Sequence, residues 1–198
     1  MYKVVLASNS PRRKEILAQV GIDFVAVPSN KEEVITKELP GEIVQELSDL
    51  KATDVANSIE DQAIIIGADT IVAKNGEILG KPKDLMDATR MLTMLQGDSH
   101  SVFTGVTAII KTRVGDHFEI KKVQFAEETK VFVREMTVEQ MIAYINTKEP
   151  MDKAGSYGIQ GRFAKYVKGI EGDFYNVMGF PISKFCETMS KEGIDLIQ

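Results

Sequence analysis

The 198-residue chain has one cysteine, two histidines and no tryptophan, and its formal net charge is -5. A single cysteine, Cys186, excludes an internal disulfide framework and a thiolate zinc site. In its apolar context, "PISKFCETM", it reads as a small buried hydrophobe rather than a nucleophile. His100 and His117 lie far from the other candidate groups, so there is no Ser-His-Asp arrangement and no histidine metal cluster. The acidic balance, with a sequence pI of about 5.2, argues against a protein that grips nucleic-acid backbone. No apolar run reaches membrane-spanning length, and the one in "MYKVVLASNS" is too short for a signal peptide, so no membrane association is expected and the cytoplasm is the expected compartment. Internal repeats, low-complexity tracts and linkers are missing as well.

What the chain does have is an ordinary globular balance, 43% hydrophobic and 27% charged residues, in a length that suits one domain, or one domain with two lobes, and a sizeable core. Strand and helix patterns alternate, which points to an α/β fold. Lys3 to Ala7 is a predicted buried strand, Pro11 to Val20 a helix, and Phe24 to Val27 a second strand leading into the polar loop "PSNKEEV". Ile43, Val44, Leu47, Leu50 and Val55 follow helical spacing from Gly41 to about Ala56. Ala63 to Ile66 is a fully buried strand, and Asn75-Gly76 is a hairpin turn. Asp84 caps a helix that Gly97 ends. Two long strands follow, in "SVFTGVTAII" and "FEIKKVQFAEETKVFV". Thr137 and Gln140 form a capping box for the next helix. A glycine-rich segment precedes a strand near Phe163 to Ile170, and the chain finishes through "GDFYNVMGFP" in a helix ending near Gly193.

The first chemical signal is an electrostatic conflict. Ser10 caps the first helix and Pro11 opens it, yet Arg12, Arg13 and Lys14 follow, cations at the positive end of a helix dipole. Free backbone N–H groups, the hydroxyl of Ser8 and the two arginines together make an anion cradle; solvated arginines on a surface turn are the bland alternative. Asp69, in "GADT", is expected just past the carboxyl end of the most apolar strand, where α/β folds place ligands. There it could serve as a general base, a Mg²⁺ ligand or a turn cap. "GEILGKP" lacks the spacing and the Ser/Thr of a P-loop, but Lys81 between Gly80 and Pro82 could still reach a phosphate, or be solvated. Lys51 lies beside the apolar stripe of its helix, as a ligand cation or a snorkelling surface lysine. In "MDKAGSYGIQG" three glycines in seven residues bring backbone close to a ligand or make a flexible loop, with Lys153 and Gln160 as polar contacts. With Glu32 and Glu33 on the polar loop, these residues form an inventory for a phosphate-rich substrate, a divalent metal and a base.

The segments "LASNSPRRKEIL", "IIIGADTIVAKNGEILGKP", "HSVFTGV", "KEPMDKAGSYGIQG" and "GDFYNVMGFPI" together resemble the Maf family of nucleoside triphosphate pyrophosphatases, in order and with matching spacing from Leu6 to about Pro181. The resemblance implies a curved, mixed α/β sheet with helices and two lobes around an active-site cleft. It implies metal-dependent cleavage between the α- and β-phosphates, giving a nucleoside monophosphate and pyrophosphate with Mg²⁺ or Mn²⁺ as cofactor. It further implies a cytoplasmic homodimer linked to septum formation and division arrest. Carried over by position, Asp69 resembles the catalytic proton acceptor and a metal ligand. Ser8, Arg13, Lys51, Lys81 and Lys153 resemble the phosphate-binding set, and Glu32 or Glu33 the acidic metal-side residue. The loop departs from the family pattern where Ser29-Asn30-Lys31 stands in place of a further acidic residue, which leaves the second metal ligand open between the two glutamates.

Three positions that vary with base preference in the family are Arg12, Thr70 and Gln160 here, a combination resembling the dTTP/UTP branch; the 7-methyl-GTP branch carries an aromatic, Gln and Glu. The chemistry agrees. Thymine and uracil each present an N3–H donor flanked by two carbonyl acceptors, which a glutamine amide and an arginine can match. Cytosine reverses that pattern. Two other readings remain: a nucleotide-sensing regulator of septum formation that does not turn its ligand over, and an inosine/xanthosine triphosphate pyrophosphatase of similar architecture.

Overall fold

A computed structural model describes residues 2–197. In chain order its strands and helices are β1 (Lys3–Leu6), α1 (Pro11–Gln19), β2 (Val25–Ala26), α2 (Pro40–Ala56), β3 (Ala63–Lys74), β4 (Glu77–Leu79), α3 (Leu85–Leu95), β5 (Ser99–Val114), β6 (His117–Val133), α4 (Val138–Ile145), β7 (Val167–Glu171), α5 (Phe174–Met178) and α6 (Ile182–Lys191). The strands form one seven-stranded mixed sheet in the order β2-β1-β3-β5-β6-β7, with β4 on β3. β1 runs parallel to both β2 and β3, whereas the β3–β4 and β6–β7 pairs are antiparallel. The fold class is mixed α/β, as expected. No helix among the described residues is long and apolar enough to cross a membrane.

The chain forms two compact units. One comprises the segments up to Asp69, Thr104–Glu127 and from Gly179 onward; the other comprises Thr70–Phe103 and Glu128–Met178. The first unit is organised by a period of two. Ala63 and Ile65 of β3 pack with Val5, Ala7 and Ile109 against Ala52 and Val55 of α2. The next residue on that face is Gly67. A Cβ there would stand 2.2 Å from the Ser48 carbonyl oxygen and 2.7 Å from the Ala52 nitrogen. Only a residue without a side chain lets α2 rest on the strand backbone. Gly105 of β5 does the same under Val44, at 2.2 Å from its carbonyl oxygen.

In the second unit, α3 is capped by Asp84, which accepts from Asp87 N–H, and α4 carries the full Thr137–Gln140 capping box. Asn75 and Gly76 turn the β3–β4 hairpin with φ of 52° and 79°. Phe163 packs against Tyr144, Tyr157 and Tyr166, with ring centroids 4.7 to 5.5 Å apart.

Two expectations need correction. β3 does not stop at Ile66. It loses its parallel partner there, because β1 ends at Leu6, but it stays next to β5 in the sheet and pairs with β4 over Val72 to Lys74. Asp69 therefore lies inside a strand, and the carboxyl end near it is that of β1. The segment Arg162–Tyr166 is a 3₁₀ turn, because burying Phe163 and Tyr166 three residues apart requires a helical repeat; the strand begins at Val167. The final helix, α6, follows "GDFYNVMGFP" as expected; that segment itself holds the short helix α5, which Gly179, with φ of 109°, and Pro181 separate from α6.

Candidate active site

Four charged side chains and one hydroxyl converge in the first unit. Because β1 ends at Leu6, Ser8 falls on the turn into α1, and Arg13 points back from the first turn of that helix. Arg13 is 9% exposed. Its Nη1 donates to Ser8 Oγ at 3.1 Å and its Nε to the Gly179 carbonyl oxygen at 2.9 Å. Ser8 Oγ also accepts from the Ser10 N–H at 3.2 Å. Ser10 occupies the cap position of α1 without a side-chain cap bond, so the helix start is shaped by Pro11 and by Ser8. Burial pushes the Arg13 guanidinium below its ordinary value. Asp69 pulls it back up, Arg12 lowers it further, and Glu33 raises it. The cation beside Ser8 is a buried, directed group rather than a solvated surface arginine.

Lys51 and Asp69 follow from the glycine contact described above. Two residues beyond Gly67 the strand again faces α2, and there Asp69 accepts from Lys51 Nζ. Glu33, from the loop between β2 and α2, reaches the same ammonium at 2.8 Å. The Lys51 and Asp69 side chains are 16% and 14% exposed, whereas Glu33 is 48% exposed. Glu32, one residue earlier, is exposed on the same loop. Among the described residues there is no group of three or more His, Cys, Asp or Glu side chains placed to hold a metal by themselves. The two carboxylates that share Lys51 still match the donor count of a Mg²⁺-type site, in which one or two carboxylates act together with substrate phosphates.

The second unit carries Thr70, Lys81, Lys153 and Gln160. The backbone N–H of Gly155 donates to the Gly80 carbonyl oxygen at 3.1 Å, which ties the glycine-rich loop to the turn that bears Lys81. Lys81 and Gln160 are exposed, and Thr70 is partly buried on β3. Lys153 is 15% exposed; its Nζ donates to the Glu149 carbonyl oxygen at 2.7 Å and to Asp152 Oδ1 at 2.6 Å. Gly155 has φ of 66°, and a Cβ there would meet Val72 Cγ2 at 2.8 Å.

Two partners escape a reading of the sequence. The Gly179 carbonyl is brought to Arg13 from 166 residues away, so no local pattern could reveal it. Glu149 was legible only indirectly, through the three-residue spacing of Gly155, Gly158 and Gly161 that follows it. Cys186 is partly buried and its thiol is pushed up by burial, then by Asp195, which disfavours the nucleophilic thiolate.

The family model described as Maf-like protein matches residues 3–192. A Lachnoclostridium phytofermentans protein named dTTP/UTP pyrophosphatase is 52% identical over 198 residues, covering 100% of this chain and 99% of that protein. Proteins of the same name from Agathobacter rectalis and Alkaliphilus metalliredigens are 47% and 49% identical, over 99% and 96% of this chain and 100% and 96% of their own lengths. The match covers β1, both glycine contacts under α2, the Arg13–Ser8 pair, the Lys51 ion pairs and the glycine-rich loop, so the chain belongs to the Maf family.

Proposed function

We propose that this protein is a nucleoside triphosphate pyrophosphatase, a hydrolase that converts dTTP and UTP to the nucleoside monophosphate and pyrophosphate. The observation that carries the reading is the convergence of Asp69, Lys51 and Glu33 beside the buried Arg13–Ser8 pair, in a chain whose full-length relatives are named for that activity. A buried guanidinium held by a backbone carbonyl and a hydroxyl is pre-organised to neutralise phosphate charge without rearranging, and such fixed electrostatics usually make the largest contribution to phosphate chemistry.

The mechanism assigns a task to each group. Asp69, mounted on a rigid strand, takes the proton of the water that attacks phosphorus. Lys51 leaves its carboxylate partners to bind phosphate. Arg13, Ser8, Lys81 and Lys153 neutralise charge on substrate and departing pyrophosphate. Asp69 and Glu33 would hold a divalent cation, Mg²⁺ or Mn²⁺, with Glu33 favoured over Glu32 because it already shares Lys51 with Asp69. Bound there, the cation supplies charge neutralisation on the phosphate oxygens. Arg12, Thr70 and Gln160 read the base. The chain works as a single domain, in a cytoplasmic homodimer.

The decisive measurement is pyrophosphate and monophosphate release from a panel of nucleoside triphosphates, with and without Mg²⁺ or Mn²⁺. Preferred cleavage of dTTP and UTP is expected. Tight binding without product identifies a sensor, and a preference for inosine or xanthosine triphosphate moves the protein to the other enzyme class. Light scattering in solution tests the dimer.

A further inference from the structure

Glu149 has no place in the mechanism above, yet its carboxylate accepts hydrogen bonds from both Arg162 and Tyr144. It opens the glycine-rich loop with a 3₁₀ turn, preceded by Lys148 at φ of 61°. Both of its carboxylate oxygens accept the Arg162 backbone N–H, at 3.0 Å each, so the last residue of the loop is tied to the first. Oε1 also accepts from the Tyr144 hydroxyl of α4 at 3.1 Å, and the residue's own carbonyl accepts from Lys153 Nζ.

The glycines are shaped around these side chains. A Cβ on Gly161 would stand 2.1 Å from Glu149 Oε1, and one on Gly158 would stand 2.7 Å from Lys153 Cε. The carboxylate thus occupies the volume in which a side chain at position 161 would sit. Gln160 lies between these glycines, directly before the two residues that Glu149 grips. A flexible loop needs no such arrangement. Gly76 and Gly115, whose φ of 79° and 59° suits them to turns, stand by contrast in open space.

We propose that Glu149 is a positioning residue whose carboxylate clasps the two ends of the glycine-rich loop and so fixes Gln160 toward the pyrimidine base and Lys153 toward phosphate. This rests on the reading of the protein as a dTTP/UTP pyrophosphatase. Glu149 touches neither substrate nor the reacting atoms. It acts through the Gly161–Arg162 backbone on one side and through its carbonyl on the other.

The test is base selectivity, measured as the ratio of kcat/KM for dTTP to that for CTP, at a temperature where circular dichroism shows each variant folded. In Glu149→Gln one oxygen becomes an amide that cannot accept from Arg162 N–H, and the ratio should fall about tenfold, since a displacement near 1 Å can cost up to about 10²-fold. Gly161→Ala, whose methyl displaces the carboxylate, should reproduce this loss. Tyr144→Phe removes one of three hydrogen bonds and should produce a smaller fall of the same kind. Wild-type protein that does not prefer dTTP and UTP overturns the functional reading. A selective wild type whose Glu149→Gln variant keeps the ratio overturns this inference alone, even if activity on every substrate drops, because a residue that merely stabilises the fold moves all substrates together. If Glu149→Gln does not fold, Gly161→Ala decides by the same ratio, and Tyr144→Phe decides if neither folds.

Discussion

Two irregular segments hold candidate site residues in opposite ways. The loop before α2 is exposed from residue 30 to residue 39 and lies along that helix as a strap. Ser29 Oγ donates to Asp54 at 2.7 Å, Glu33 meets Lys51 at 2.8 Å, and Thr36 donates to Glu46 from its N–H at 2.9 Å and from its hydroxyl. The strap runs against the direction of the helix, one side-chain tie per turn or so. The glycine-rich loop of the second unit instead buries Gly155 to Ile159, threads Tyr157 among aromatic rings, and wraps its backbone around Glu149. Separate side-chain ties of the first kind can open one at a time, whereas a packed loop opens only with its core. The contrast matches the tasks proposed for them. Glu33 must release Lys51 when phosphate arrives, while Gln160 must not move if it is to distinguish bases.

The largest effect is expected at the fixed partner of Lys51. Asp69→Asn should retain the fold and much of the nucleotide affinity while turnover falls about 10²- to 10⁴-fold, the range for a lost general base. Glu33→Gln, on the movable strap, should cost less. Steady-state kinetics on dTTP compares the two, and a Glu33 variant as impaired as Asp69→Asn would erase the distinction between fixed and movable carboxylates.

The same contrast separates what the sequence discloses from what it conceals. Residues whose partners are three or four positions away were legible: the Asp84 cap, the Thr137–Gln140 box, the Asn75-Gly76 turn, the apolar stripe of α2. The pairs Ser8–Arg13 and Lys51–Asp69 join residues that the family resemblance groups as one site. Hidden were the extension of β3, which depends on β5 and β4 flanking it beyond the end of β1, and the 3₁₀ turn at Phe163, which depends on a ring cluster drawn from α4 and the loop. The choice of Glu33 over Glu32 at Lys51 depends on the path of the strap across α2, which no periodicity encodes.

A second prediction concerns acid. His100 is 3% exposed; its Nε2 pairs with the Tyr157 hydroxyl at 2.7 Å, and its Nδ1 is buried without a partner. Burial, and then nearby Lys74, push its pKa from 6.5 down to about 4, against a smaller upward pull from Asp98. The unfolded chain therefore binds a proton that the native state refuses between these values. Stability from this residue is complete above pH 6.5 and is lost as pH falls toward 4, by up to about 3 kcal/mol. Urea unfolding at pH 7 and pH 4.5 measures it. His100→Gln, which keeps a partner for Tyr157, should flatten the profile. The packed loop, through Tyr157, should loosen in acid before the strap does; the reverse order in hydrogen exchange would break the comparison.

Gly67→Ala tests the floor on which the strap rests. The new methyl would stand 2.2 Å from the Ser48 carbonyl oxygen, so α2 must back away from β3. Overpacking of this kind costs about 1–3 kcal/mol. Because Lys51 neighbours Ala52, which would also be pushed, activity should fall with Tm. An unchanged Tm would show that α2 can yield, and would remove the rigid mounting from the argument for Lys51.

The smallest effect on stability is expected from the strap itself, and it is the sharpest test of how the strap is held. Ser29→Ala deletes the tie to Asp54, and Thr36→Val deletes the hydroxyl bond to Glu46 while leaving the backbone N–H bond. Glu46 is partly exposed, and its carboxyl lies below the usual range chiefly because the Thr36 hydroxyl bonds to it. Substitutions of this kind usually change global stability by no more than about 0.5 kcal/mol. Unfolding midpoints should therefore barely move. Proteolysis within residues 30–39, under native conditions, should nevertheless accelerate several-fold in the double variant, because it follows local opening rather than global unfolding. Glu33 would then spend less time on Lys51, so nucleotide should meet less competition for that ammonium. KM for dTTP should fall or hold while kcat changes little. A double variant that loses global stability, or resists protease as the wild type does, would show that the strap is held by its packing and not by its side-chain ties.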